Sequence, residues 1–181
     1  MKKTIISLLL AFCLLIVVAP AVSTEADAAT TYTSGDWEYT VDSGLATITK
    51  YNGTASTVTV PEFFGYYQVT AIGNSAFAGD CAATMTKITF PDSLISIGKY
   101  AFSGCVGLTS IELPESLSSL GARAFQNCTR LEEIIFNCSA LADISIAYSD
   151  YGQPFYNAGK AGDGITVTFT DTCTKVPANL F

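Results

Sequence analysis

Residues 85–105 read MTKITFPDSLISIGKYAFSGC, and residues 108–128 read LTSIELPESLSSLGARAFQNC. The two stretches match in register, with Pro, Ser-Leu, Gly, Ala-Phe and Cys at equivalent places. The interval from Gly98 to Gly121 gives the period of the pattern. A fixed period of this length is typical of stacked repeats, in which each unit contacts only its neighbours. Such a solenoid presents a long surface rather than a deep pocket, which favours a binding function.

Three further copies extend the array, so we expect about five repeats. The first three repeats cover 58–83, 85–107 and 108–130, the fourth starts at Leu131, and the fifth starts near Gly164. In the fourth repeat Leu141 and Ile144 match, but Phe155 comes later than the period requires, after a polar, tyrosine-bearing insertion near 145–153. In the fifth, Cys173, Val176 and Phe181 stand where the third has Leu117, Leu120 and Phe125.

The third repeat shows how one unit folds. Ile111 and Leu113 lie on one face of a short strand, and Ser110 and Glu112 lie on the other. Pro114 ends the strand because it has no N–H for the ladder.

The rest of the unit returns and closes the coil. Leu117 and Leu120 point inward, and Gly121 is expected to allow a tight turn. Ala124 and Phe125 close the coil. Stacking turns each inward position into a column, so the phenylalanines are predicted to form the core.

Residues 1–28 have the pattern of a secretory signal peptide. Lys2 and Lys3 precede an apolar run over 5–18, and residues 26–28 (Ala-Asp-Ala) form a small-x-small cleavage signal. An uncleaved N-terminal anchor is the alternative. The pattern predicts a secreted or cell-surface protein without a membrane span after cleavage.

Residues 29–57 do not match the repeat and are predicted to form a small β-rich cap. Two alternating segments, 37–41 and 46–51, flank an Asp-Ser-Gly turn and predict a hairpin. A cap is expected because the first coil of a solenoid would otherwise expose its core. The repeat region is then 58–181.

Composition argues against several functions. The formal net charge is −7 without a basic run, which disfavours nucleic acid and anionic membrane surfaces as partners. The chain has no histidine, so Ser-His-Asp and Cys-His catalysis are excluded. No phosphate-binding loop or close-spaced cysteine pair is present. Glu132-Glu133 is the only adjacent carboxylate pair, and strand alternation points the two to opposite faces. We therefore expect no enzyme activity, no cofactor and no metal.

The cysteines follow the repeat. After signal cleavage five remain, and Cys105 and Cys128 are equivalent, with Cys81 near that place one repeat earlier. We interpret them as a column of small buried residues, since free Cys packs as a small apolar group. A disulfide between stacked neighbours is the alternative.

The unit at 108–128, and equally that at 85–105, resembles the BspA-like (Treponema pallidum type) leucine-rich repeats of bacterial surface proteins. The resemblance covers roughly residues 58–181. It implies a curved solenoid with a parallel β-sheet on its concave face. It also implies a secreted or surface-bound protein that binds an extracellular protein, either of the host matrix or on another surface.

Two groups of residues are candidates for ligand contact. The first comprises outward positions of the concave strands: Lys87, Thr89, Ser110, Glu112, Glu133 and Ile135, continued by Thr166 and Thr168. The second is the aromatic cluster Phe63, Phe64, Tyr66 and Tyr67, because exposed aromatics dominate contact energies. The alternative for this cluster is a turn folded over the core of the cap.

Two other functions stay open. A polysaccharide-binding module would use Trp37, Phe63, Tyr66 and Tyr67, although Trp37 is expected to pack in the cap. A structural spacer within a longer surface protein would need no ligand. Because the chain stops at Leu180-Phe181, within a repeat, we expect a longer gene product.

Overall fold

Short strands joined by turns build the fold. The computed structural model describes residues 30–79, 81–137, 141, 152–173, 178 and 180–181. Twelve strands and one short helix, α1 (Cys81–Thr84), occur within these residues. The predicted mainly β solenoid is confirmed. The signal peptide, Cys138, Ile144, Val176 and all but the end of the insertion near 145–153 lie outside the described residues.

Three antiparallel strands form the N-terminal cap: β1 (Thr31–Ser34), β2 (Trp37–Asp42) and β3 (Leu45–Tyr51). The predicted hairpin joins β2 to β3. Its two turn residues, Ser43 and Gly44, both have positive φ, as a type I′ turn requires. β1 carries no sequence signal, because all four of its residues are exposed and no apolar alternation marks it.

One strand from each repeat enters a five-stranded parallel sheet. Its members are β4 (Thr57–Thr59), β7 (Lys87–Thr89), β9 (Ser110–Leu113), β11 (Glu133–Phe136) and β12 (Thr166–Phe169). Strands from consecutive repeats lie next to each other in the sheet. Ser110 pairs with Lys87 on one side and Glu133 on the other. As predicted, Ile111 and Leu113 are buried, whereas Glu112 is exposed. We call this the repeat sheet.

The returning segments form a second sheet that continues from the cap. It contains β6 (Tyr67–Ile72), β8 (Ser96–Ile97) and β10 (Ser119–Leu120), with β5 (Phe63–Phe64) antiparallel to β6. β6 also pairs in parallel with β3, so cap and solenoid share one sheet. The boundary at residues 57 and 58 stays a prediction.

The same geometry recurs at the corner between the two sheets in successive repeats. The Leu94 and Leu117 amides donate to the carbonyls of Pro91 and Pro114, each at 3.1 Å. The repeat's serine then bonds to the coil before it, with the Ser116 hydroxyl 2.6 Å from the Leu94 carbonyl. The Ser-Leu of the motif therefore turns the chain inward and ties one coil to the next.

Phenylalanine rings stack along the solenoid, one from each coil. Centroid distances are 4.5 Å from Phe77 to Phe102, then 5.0 Å to Phe125, 5.2 Å to Phe155 and 5.4 Å to Phe181. Phe155 takes its place in this ladder although the chain between it and Phe125 is longer than the repeat period. The first four rings are buried, and Phe181 is 56% exposed at the end of the ladder.

The glycine column has a different role from the one expected. The left-handed backbone conformation falls on Tyr100 and Arg123, each at φ 56°, two positions after the glycine. The expectation that Gly121 supplies the tight turn is therefore wrong. A Cβ on Gly121 would lie 2.5 Å from the Gly98 carbonyl carbon, and one on Gly98 would lie 2.7 Å from that of Gly73. Glycine is required because successive backbones touch.

The cysteine column is confirmed for Cys105 and Cys128, which are free, buried and equivalent. The Cys128 thiol donates to the Phe102 carbonyl at 3.3 Å. The hydrogen bond with the Cys128 thiol, followed by burial, raises the pKa of Cys105 far above its usual range. Both residues are fully buried and form part of the core. Cys173 is half-buried, and its thiol donates to the Phe136 carbonyl at 2.9 Å.

Phe125→Ala is expected to lower the free energy of unfolding by about 3–5 kcal/mol, because it empties a buried position between two stacked rings. Phe181→Ala is the matched control, since its ring is exposed and has one ladder neighbour; its loss should stay below about 1 kcal/mol. Urea unfolding followed by circular dichroism measures both. Equal losses would show that the ladder is not the core.

Gly121→Ala is expected to destabilise the fold by about 2 kcal/mol or more, because its methyl group overlaps backbone that cannot move aside. Gly79→Ala serves as the control, since a Cβ there meets nothing within 4 Å. Its effect should be within about 0.5 kcal/mol. A tolerated Gly121→Ala in thermal unfolding would contradict the close approach of the coils.

Cys105 and Cys128 are expected to resist alkylation in the folded protein at mildly alkaline pH, because they are buried and thiolate forms rarely at the raised pKa of Cys105. Half-buried Cys173 should react first. Iodoacetamide labelling with peptide mass spectrometry gives the order, and all three should react in denaturant. Labelling of Cys105 as fast as Cys173 would argue against a sealed core.

Candidate functional site

The solvent face of the repeat sheet carries a groove of about 490 Å³. Six of the eight strand residues predicted for contact line it: Lys87, Thr89, Ser110, Glu112, Glu133 and Ile135. Register explains their convergence. Lys87, Ser110 and Glu133 are partners on successive strands, and Ile135 pairs with Glu112. Sequence alternation therefore located this surface, and its use for binding stays a prediction.

Thr166 and Thr168 extend the same two rows onto β12, where they pair with Glu133 and Ile135. Both side chains are exposed. They stand at the edge of the face and are not among the residues that line the groove.

The groove also includes residues that strand alternation does not reveal. Asp92 and Asn137 lie just beyond the ends of their strands, at the corner of the coil. Asn137 stands where the earlier repeats have Pro91 and Pro114. Its side-chain amide donates to Glu112 Oε1 at 2.8 Å. This hydrogen bond joins two neighbouring coils and holds the Glu112 carboxylate in position. The replacement of the repeat's proline by asparagine is the signal that could have identified it.

The groove is acidic, and its lining also includes the apolar residues Ile88, Phe90, Ile111, Pro114 and Ile135. Asp92, Glu112 and Glu133 contribute carboxylates, and Lys87 contributes one cation. Ile135 is half-buried and lies between its register partners, Glu112 on β9 and Thr168 on β12. Hydroxyls of Thr89 and Ser110 complete the floor. These groups can form charge-assisted hydrogen bonds and an apolar contact with a ligand. Among the described residues no cluster of three or more His, Cys, Asp or Glu could hold a metal ion.

The aromatic cluster lies elsewhere, on the hairpin of β5 and β6. Tyr66 is at the tip and 98% exposed, and Phe63 and Tyr67 are 48% and 38% exposed. Phe64 was expected to contact ligand with them, and this is wrong. It is 5% exposed and stacks on Tyr39 with ring centroids 4.1 Å apart, because alternation along β5 points it into the cap. None of the four lines the groove.

Trp37 packs within the cap, as the sequence suggested. It is half-buried, with ring centroids 4.5 Å from Tyr51, 6.0 Å from Phe77 and 6.3 Å from Phe64. Its ring therefore packs against three aromatic side chains of the core. The exposed aromatic residues of the hairpin of β5 and β6 are Phe63, Tyr66 and Tyr67, which we call the hairpin tip.

Within the described residues, no helix is long and apolar enough to cross a bilayer.

Solved structures similar to this chain are bacterial leucine-rich repeat proteins. One from Bacteroides capillosus ATCC 29799 is 28% identical, with a TM-score of 0.62, over 77% of this chain and 98% of that one. A leucine-rich cell surface protein from Faecalibacterium prausnitzii A2-165 is 25% identical, with a TM-score of 0.57, over 83% of this chain and 45% of that one. The T. pallidum leucine-rich repeat protein shares the fold at 21% identity, with a TM-score of 0.53, over 78% of this chain and 65% of that one.

A search of curated proteins gives no match. The family model described as "BspA type Leucine rich repeat region (6 copies)" matches residues 58–152, more than half of the chain. The match includes the strands β7, β9 and β11 and the first three rings of the ladder, Phe77, Phe102 and Phe125. The chain therefore belongs to the BspA-type leucine-rich repeat family.

Proposed function

We propose that this protein is a non-catalytic module that binds another protein outside the cell, through the groove on the repeat sheet. The observation that carries the proposal is the convergence of six outward strand residues, from three successive repeats, on one groove. Extracellular proteins of the host matrix, or of another cell surface, are the partners we infer.

A rigid groove favours recognition. The repeat sheet rests on buried columns, including Ile88, Ile111 and Ile134 directly beneath the groove's polar side chains. A preformed surface of this kind loses little conformational entropy when a partner binds. The available binding energy then goes into contacts rather than into ordering of the site.

The chemistry of the groove supports binding rather than catalysis. The chain has no histidine, and the groove's hydroxyls belong to Thr89 and Ser110, without an adjacent imidazole base. Glu112 accepts a hydrogen bond from Asn137, which suits an anchored contact residue. We infer that the groove holds a ligand without transforming it.

An extracellular location is supported from two directions. Residues 1–28 have the sequence pattern of a secretory signal peptide. The similar Faecalibacterium prausnitzii protein is described as a cell surface protein. We infer that this chain is exported and acts outside the cell or on its surface.

A second candidate function is polysaccharide binding at the hairpin tip. Tyr66 is almost completely exposed at a two-residue turn, with Phe63 and Tyr67 beside it. Exposed aromatic rings can stack on the apolar faces of sugars. This surface lies on the other sheet from the groove, so the two functions can be separated by mutation.

Ser110→Trp is expected to weaken binding to a protein partner by at least about tenfold, because the new ring fills the centre of the groove. Tyr66→Ala should leave that binding unchanged. The measurement is surface plasmon resonance of the full chain against a panel of purified extracellular matrix proteins, with a glycan array in parallel. Circular dichroism would confirm that both variants fold.

The opposite pattern would overturn the proposal. Glycan binding that is lost in Tyr66→Ala and kept in Ser110→Trp would establish the hairpin tip as the functional surface. Protein binding that is insensitive to Ser110→Trp would exclude the groove as the contact.

A further inference from the structure

Charge is segregated within the second and third repeats. Between residues 85 and 131 the acidic residues are Asp92, Glu112 and Glu115, all in a strand or in the corner after it. The second halves of these repeats, 93–109 and 116–131, contain no acidic residue and carry Lys99, Arg123 and Arg130. Negative charge therefore collects on one side of these two coils, although the repeat's apolar pattern does not require it.

The structure turns this segregation into an acidic surface. Asp92, Glu112 and Glu133 line the groove, and Asp92 and Glu115 line an adjoining cavity past the strand ends. The two cavities share Asp92, Pro114 and Asn137, so they form one continuous trough. Lys87 is the only cation that lines it among the described residues.

The cations of the second halves lie outside the trough. Lys99 and Arg123 lie in the turns that contain the ladder residues Phe102 and Phe125. The Arg123 guanidinium is 5.7 Å from the Tyr100 ring centroid and 6.0 Å from that of Tyr156. They are therefore not arranged to neutralise Glu112 or Glu133. Within the described residues, the carboxylates of Asp92, Glu112, Glu115 and Glu133 therefore face one trough cation, Lys87, and most of their charge is available to a partner.

We propose that the trough binds an extended basic segment of a partner protein, with an arginine or lysine side chain lying along Ile135. Glu112 is the register partner of Ile135, and Glu133 is two positions before it on the same strand face. Neighbouring strands are about 4.8 Å apart and alternate residues about 6.6–6.8 Å apart. A long cationic side chain can thus place its methylene stem on Ile135 and its charged end between the carboxylates.

The same geometry disfavours other occupants. An acidic peptide or an anionic polysaccharide would be repelled by three or more carboxylates. A second copy of this chain could offer its Lys99 and Arg123 surface, and the experiment below tests for that. The inference rests on the proposed protein-binding function and adds the charge of the partner segment.

The test uses the full chain and three synthetic peptides of equal length, built on Gly and Ser and carrying four Arg, four Glu or no charged residue. Fluorescence anisotropy is measured at about 50 mM and about 500 mM NaCl, because screening weakens contacts between exposed charges. The basic peptide is expected to bind best, and its binding should weaken at high salt.

Glu112→Gln/Glu133→Gln should weaken binding of the basic peptide about tenfold, as expected for the loss of two exposed ion pairs. Glu62→Gln/Glu132→Gln is the matched control. Both of its residues are exposed and lie outside the trough, and the change in net charge is the same. The control should bind like the wild type. An equal loss in both variants would show a general charge effect and overturn the proposal.

The outcomes separate this inference from the proposed function. If basic and neutral peptides bind equally while Ser110→Trp still abolishes protein binding, the groove is the site and the basic partner is wrong. If Ser110→Trp has no effect, the proposed function fails. Sedimentation equilibrium covers the remaining case, since a dimer that dissociates in Glu112→Gln/Glu133→Gln would identify a second copy as the occupant.

Discussion

Contact between the backbones of successive coils is the constraint on which the rest of this structure depends. At Gly98 and Gly121 the approach leaves no room for a Cβ. The distance between coils there is set by the main chain, and every other position in the repeat inherits it. Side chains at equivalent positions are therefore held one strand spacing apart, which is also a good distance for stacked aromatic rings. The ladder from Phe77 to Phe181 follows from that spacing.

The same constraint gives the two sides of the repeat sheet their separate roles. Because register is maintained from β7 to β12, inward residues form apolar columns and outward residues form rows. The columns supply stability. The rows vary freely in chemistry, from Lys87 through Ser110 to Glu133. A groove with its own charge pattern can thus be placed on a core that changes little from coil to coil.

Much of this architecture was predictable, and the failures have physical causes. Period and alternation identified the solenoid, the inward residues and the strand residues of the groove, because these depend on local spacing. The role of Gly121 was misjudged, since a glycine needed for contact between coils looks the same in sequence as one needed for a turn. The burial of Phe64 depends on which way the two-residue strand β5 faces. The role of Asn137 depends on its contact with Glu112 on the neighbouring coil. β1 has no buried residue to reveal it.

The ladder accepts Phe155 at the usual ring distance although the chain before it is longer than in the other repeats. A coil is therefore defined by where its strand and its ring dock, and the length of chain between them is nearly free. Loop closure costs only about 0.6 kcal/mol for each doubling of length, so added residues weigh little against a buried ring. This architecture can thus gain new surface loops within a coil while keeping its stacking intact, which makes the interior of each repeat a place where proteins of this kind can diversify.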